Sequence, residues 1–243
     1  MTPVRMKSRA EFLFIAKLAE EAERYDDVLL QIKGLIYSFD ARLTAEERNL
    51  LSVAYKNKTN TLRNSWRIVD TLEKLEASRA HPRLAALVQG QRKHIERELA
   101  DACKDAVRLL DDRLVPRAKA GEEKVFYWKM KGDYYRYLVE FAEVHERRRF
   151  ADLSLESYKF AYQHSLTALP PAHPTRLGLA LNFSVYYHDV HGSPDRACHL
   201  AKHAFDEAIA SMDSSGKAGE QSMDSLMILQ LLKDDLVLWA GEI

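Results

Sequence analysis

Lys56 and Arg63, and again Lys129 and Arg136, are pairs of basic residues seven positions apart. On an α-helix that spacing turns each residue only about 20° from its partner, so each pair sets two cations along one face. Tyr137 adds a phenolic hydroxyl beside the second pair. Guanidinium forks, ammonium groups and a hydroxyl donor on rigid elements are what recognition of a phosphate group requires. Either pair alone is usually a solvated face, and periodicity does not say whether the two pairs meet. Two further faces are mixed in character. Asn182, Val185 and Asp189 share one, and Asp235 interrupts an apolar stripe of Ile228, Leu231, Leu238 and Trp239. A carboxylate within such a stripe is costly if buried.

The elements that must carry these residues are helices. Nine glycines and seven prolines in 243 residues, with long stretches of Ala, Leu, Glu, Lys and Arg, predict an all-α chain. Thr44 with Glu47 three residues on forms a capping box, and Ser193-Pro194 opens another helix with proline in its first turn. Pro174 and Gly192 mark two more boundaries. Nine helices are predicted near 8–22, 25–39, 45–76, 81–113, 121–143, 146–168, 174–190, 194–212 and 222–240. Connections this short between long helices predict antiparallel neighbours, and no linker separates two domains, so 1–243 reads as one domain. The Ser211 to Ser222 stretch reads as a mobile loop by composition.

Several function classes lose support at this level. Lysine plus arginine balances aspartate plus glutamate at 36 each, so no global field draws nucleic acid or an anionic membrane. No apolar run reaches the roughly 20 residues of a membrane span, and the N-terminus lacks a secretory pattern. Cys103 and Cys198 are too few for a disulfide framework, which fits the reducing cytoplasm. The chain holds no HExxH, no GxxxxGK[ST] and no GxSxG, and its nine histidines show no metal-ligand spacing, so neither catalysis nor a cofactor is expected. Tyr134 reads as a core aromatic.

The segment from Arg48 to Asn57, RNLLSVAYKN, resembles one characteristic motif of the 14-3-3 family, and SLMILQLLKDDLVLW from Ser225 to Trp239 resembles another. KVFYWKMKGDYYRYL from Lys124, RLGLALNFSV from Arg176 and SPDRACHLAKHAFDEAI from Ser193 also read like that family, in order, over about Ala16 to Trp239. The resemblance implies a dimer of nine-helix, cup-shaped protomers, each holding an extended phosphoserine or phosphothreonine segment of a client protein. It implies a groove built from helices near 45–76, 121–143, 174–190 and 222–240. Lys56, Arg63, Arg136 and Tyr137 match the phosphate-holding positions, and Lys129 matches a supporting one. Asn182 matches the asparagine that bonds the ligand backbone. Leu181, Val185, Ile228, Leu231, Leu238 and Trp239 match a partly exposed apolar wall. The helices over about 8–76, with part of 81–113, match the dimerisation region. There Leu18, Ala22, Ser65, Val69 and Leu72 match interface positions, Arg24 with Glu98 matches an ion pair across the interface, and Asp27 faces His94 where the family often has lysine.

Two groove positions depart from the family pattern. Asp189 stands where glutamate is usual near the cations, and Asp235 stands where a second backbone-clamping asparagine is expected, an acceptor replacing a donor and acceptor. The chain is also neutral and ends four residues after Trp239, whereas the family is typically acidic with an acidic tail. Two rival readings remain at this level. One is a degenerate dimeric relative with weak or altered phosphopeptide binding. The other is a tetratricopeptide-like peptide-binding module, although no 34-residue period recurs.

Overall fold

The computed structural model describes residues 7–79, 81–214 and 223–241, and among these every regular element is helical. The chain folds into two compact units, Met1–Arg117 and Ala118–Ile243.

The first unit carries α1 (Arg9–Glu21), α2 (Tyr25–Ser38), α3 (Ala45–Ser78) and α4 (Pro82–Leu109), the last running on through a π turn at Leu110–Leu114 and a 3-10 turn at Val115–Arg117. The capping box predicted at Thr44 is present. Thr44 N–H donates to Glu47 Oε2 at 2.7 Å and Glu47 N–H donates to Thr44 Oγ1 at 3.2 Å. The same two-way bond opens α1 between Ser8 and Glu11. Glu47 does a second job, accepting from Arg9 Nε at 2.8 Å, so the α3 cap also ties down α1. Packing of α1 on α2, α2 on α3 and α3 on α4 buries Ala16, Ile32, Leu35, Leu51, Tyr55, Leu99 and Cys103. Burial and a hydrogen bond to Asp105 push the Tyr55 phenol far above its ordinary pKa, which leaves the hydroxyl a fixed donor.

The second unit carries α5 (Glu122–Phe141), α6 (Val144–Ala168), α7 (Pro174–Val185), a π turn at Tyr186–Val190, α8 (Pro194–Ser214) and α9 (Met223–Ala240). Gly192, at φ +65°, supplies the left-handed residue that lets the chain reverse into α8. Helix α5 is central. It packs on both α6 and α7 and buries residues around most of its circumference, including the charged Glu123, Asp133 and Arg136. Tyr134 is buried as expected. Two apolar clusters complete the unit, one around Tyr158, Leu179, Phe183 and Tyr186, the other around Leu177, Ala201, Leu229, Leu232 and Trp239.

The predicted helices are all present, but the one predicted over 81–113 is α-helical only to Leu109 before its π turn, and two further differences lie in the second unit. Helix α8 continues through Ser214, beyond the predicted end at 212, while 215–222 of the expected loop lie outside the described residues. The segment 174–190 is not one α-helix, because its last turn is π-helical. Composition does not announce such a turn, since π turns use ordinary helix-forming residues.

Candidate functional site

Arg136 and Lys129 of α5 gather around a residue that spacing did not single out, Asp133. It lies between them in sequence, four after Lys129 and three before Arg136, on the same helix face. Lys129 Nζ donates to Asp133 Oδ2 at 2.9 Å. Tyr158 of α6 donates its hydroxyl to Asp133 Oδ1 at 2.5 Å and accepts from Arg136 Nε at 3.2 Å. Asn182 of α7 donates its amide to Asp133 Oδ1 at 2.7 Å. Three helices therefore converge on one carboxylate.

Gly132 makes this convergence possible. A Cβ there would lie 2.8 Å from the Tyr158 ring, so only glycine lets the ring lie against α5 with its hydroxyl at Asp133. Ser154 fastens the same contact by donating to the Gly132 carbonyl at 2.9 Å.

The electrostatics follow from these partners. Burial pushes the Asp133 carboxyl up, yet the charges of Lys129 and Arg136 and the bonds from Tyr158 and Lys129 outweigh it and hold the pKa below the usual carboxylate value. Burial pulls the Arg136 guanidinium down, but the Tyr158 and Tyr137 phenols and Asp133 carry its pKa above the ordinary value. Arg136 is buried and fully charged, with its guanidinium 5.0 Å from the Tyr137 ring centroid. Among the described residues only its Nε is hydrogen-bonded, so both terminal nitrogens keep their donors.

The first unit holds the other basic pair on α3. Lys56 is exposed, and Arg63 is half-buried with an Nη1 to Asn60 Oδ1 distance of 3.5 Å. The apolar stripe beside them deepens toward the start of the helix. Leu51 and Tyr55 are buried, while Leu62, Trp66 and Val69 are half-buried.

The apolar wall is uneven. Leu231 is 47% and Leu238 62% exposed, whereas Leu181, Val185 and Ile228 are half-buried. Trp239, expected to be partly exposed, is buried instead. It packs into the α7–α8–α9 cluster, and the His188 ring stacks parallel to its indole with centroids 4.9 Å apart. Asp189 also differs from expectation. The π turn breaks the spacing that would align it with Asn182, and the side chain lies 59% exposed, bonded to His188 Nδ1 at 2.7 Å. Among the described residues it pairs with no lysine or arginine. Asp235 is half-buried, and burial, with repulsion from Asp189 and Asp234, raises its pKa despite a lowering contribution from His188.

A model of the 14-3-3 protein family matches residues 15–240. The chain belongs to the 14-3-3 family. It is 50% identical over 232 residues to a 14-3-3 protein homolog of Candida albicans, an alignment covering 96% of this chain and 87% of that protein. It is 51% identical over 235 residues to the checkpoint signal transducer rad25 of Schizosaccharomyces pombe, covering 97% and 86%. With the 14-3-3-like protein GF14 iota of Arabidopsis thaliana it shares 48% identity over 237 residues, covering 98% and 87%. Proteins of the 14-3-3 family act as phospho-dependent adaptors, and membership makes this chain one of them.

Within that family, the first unit shows a surface of interest for pairing. Leu18 is 61% and Leu72 45% exposed, Ala22 is exposed, and Ser65 and Val69 are half-buried. The charges expected to pair across a 14-3-3 interface are engaged within the chain. Arg24 Nε bonds Asp27, and His94 Nε2 lies 3.8 Å from Glu98 Oε1 one turn along α4. Among the described residues no helix is long and apolar enough to cross a membrane, and no group of three or more potential ligands could hold a metal ion.

Asp133, Tyr158 and Gly132 were missed by sequence reasoning. Asp133 carried a readable signal, an acid spaced four and three from the two cations of one face. Tyr158 and Gly132 carried none, because their roles depend on how α6 lies against α5.

Proposed function

We propose that this 14-3-3 protein binds extended client segments bearing phosphoserine or phosphothreonine. Arg136 and Tyr137 are proposed as phosphate ligands with Lys129 in support, and Lys56 and Arg63 are proposed in the same role. Asn182 grips the ligand backbone through its amide oxygen, and Leu181, Val185, Ile228, Leu231 and Leu238 receive the flanking side chains, with Trp239 backing them from the core. Asp189 and Asp235 add negative charge along that wall. The reading rests on one observation above all. Arg136 is held buried and charged by the Asp133 cluster while both terminal nitrogens remain without a partner among the described residues. A phosphate, with about −1.5 to −2 charges and three acceptor oxygens, suits such a donor.

The protein is further proposed to act in the cytoplasm as a dimer, with itself or a related chain, through Leu18, Ala22, Ser65, Val69 and Leu72. The Arg24, Asp27, His94 and Glu98 side chains exchange their internal partners for partners across the two-fold. Titration of a fluorescent phosphoserine peptide against its unphosphorylated twin tests the adaptor reading. The phosphorylated peptide should bind at least about tenfold more tightly, given the strength of charge-assisted bonds. Equal affinity for the two overturns it. Sedimentation of a monomer at micromolar concentration would overturn the dimer.

A further inference from the structure

A cleft of about 740 Å³ lies wholly within the second unit, lined by Lys159, Tyr162 and Gln163 of α6, Phe183 of α7, Tyr187 of the π turn and Asp195, Arg196, His199 and Leu200 of α8. It shares no lining residue with the Asp133 cluster or with the apolar wall. Helices α6 and α8 each contribute residues three or four apart, so each turns one face to the cleft. Phe183 and Leu200 are buried and form its floor. Tyr187 stacks on Phe183 with centroids 4.7 Å apart and planes 28° apart, and Tyr162 meets the same ring edge-on at 6.1 Å.

The rim differs chemically from the floor. Lys159 and Arg196 are exposed, and among the described residues neither forms an ion pair or a hydrogen bond. Asp195 is the one carboxylate among these lining residues, and Gln163 and His199 add hydrogen-bonding groups. Burial raises the pKa of Tyr162 and of Tyr187, so both phenols stay neutral and keep a polar edge on an aromatic wall.

We propose that this cleft binds a mononucleotide, the base lying against Tyr187 and Tyr162 over the Phe183 floor and the phosphate meeting Arg196 and Lys159. The volume falls in the range of small-molecule sites, roughly 300 to 1,000 Å³. An aromatic surface offers a base a stacking partner whatever its identity, and unpaired rim cations favour a ligand that is both planar and anionic. Inorganic phosphate alone finds two exposed, unbraced cations, and a neutral nucleoside leaves them unused. Gln163 can bond a base edge.

Calorimetric titration of the full chain with AMP, with adenosine and with inorganic phosphate tests the proposal. AMP should bind at least about tenfold more tightly than either fragment, as two cooperating contacts imply. Arg196→Glu and Lys159→Glu should each weaken AMP about tenfold. Both positions are exposed, and an acid in the first turn of α8 suits the helix dipole, so these variants fold. Phosphopeptide affinity, which depends on other residues, should not change in either variant. Four outcomes overturn the proposal: no AMP binding at millimolar concentration, AMP no tighter than phosphate or adenosine, affinity indifferent to both substitutions, or AMP displaced by a phosphopeptide and weakened by Arg136→Lys. Because this site and the phosphopeptide groove share no residue, failure of either leaves the other standing.

Discussion

Asp133 and Asp235 are aspartates of the same unit, and their surroundings send them in opposite directions. Asp133 is the more deeply buried, yet its pKa falls, because Lys129, Tyr158, Asn182 and Arg136 supply charge and donors on every side. Asp235 is only half-buried, yet its pKa rises, because burial and the repulsion of Asp189 and Asp234 outweigh the lowering contribution of His188. Partners, rather than depth, decide whether a buried carboxylate steadies a structure. The first aspartate is an organising centre that keeps cations charged and aimed. The second is a charge the fold tolerates.

The largest effect that could break this comparison is expected from Asp133→Ala. It strands Arg136 and Lys129 in a buried site without their counter-charge, and removing one partner of such a network costs about 3 to 5 kcal/mol. Denaturant unfolding should show a lower midpoint with an unchanged slope. The pH dependence has a definite sign. A carboxyl whose folded pKa is depressed contributes stability that is present above the unfolded value and lost as pH falls through the folded one. The wild type should therefore lose this contribution below about pH 4, and Asp133→Asn should flatten that acid limb. An acid limb unchanged in Asp133→Asn would remove Asp133 as the centre.

Arg136→Ala asks what the centre is for. Phosphopeptide binding should weaken by about 2 to 5 kcal/mol, well over tenfold, with the helical content retained. Unchanged affinity would detach Arg136 from the phosphate. Tyr158→Phe probes the link between the two, deleting the hydroxyl that donates to Asp133 and accepts from Arg136. Losing one buried bond of this kind costs about 1 to 3 kcal/mol in stability, and calorimetric melting should register it. No change would mean that Asp133 orders Arg136 without Tyr158.

Asp235→Asn is the smallest and has the opposite sign. A carboxyl with a raised folded pKa contributes stability below its unfolded pKa that is lost as pH rises through the folded one, so at neutral pH its charge is a liability. The amide should raise stability at pH 7 by no more than about 1 kcal/mol, since the group is partly solvated, with no gain at pH 3. The same substitution restores a donor and removes a negative charge from the wall, and is expected to tighten a generic phosphopeptide about tenfold. A lower melting temperature at pH 7 would show that Asp235 has a stabilising partner and would erase the contrast with Asp133.

Much of this was legible in the residues. Thr44 and Glu47 fixed the start of α3, Ser193-Pro194 fixed the start of α8, and Lys129 with Arg136 marked the working face of α5, because caps and seven-residue spacing are local properties of a helix. Seven-residue spacing does not align Asp189 with Asn182, because a π turn replaces the α geometry there. Trp239 was misjudged for a related reason. Its place in a stripe indicated a face, but the neighbours on that face, Leu177, Ala201 and the His188 ring, belong to α7, α8 and the π turn.

The sequence by itself determined the helices, their caps, the cations available and the family, since each of these is written in residues close along the chain or in their order. Only the tertiary structure decided that Asp133 is the centre. Its partner Tyr158 is 25 residues away and Asn182 is 49 away. Contacts across such separations are set by how α5, α6 and α7 pack, with Gly132 admitting the Tyr158 ring, and packing of that kind leaves no period in a sequence.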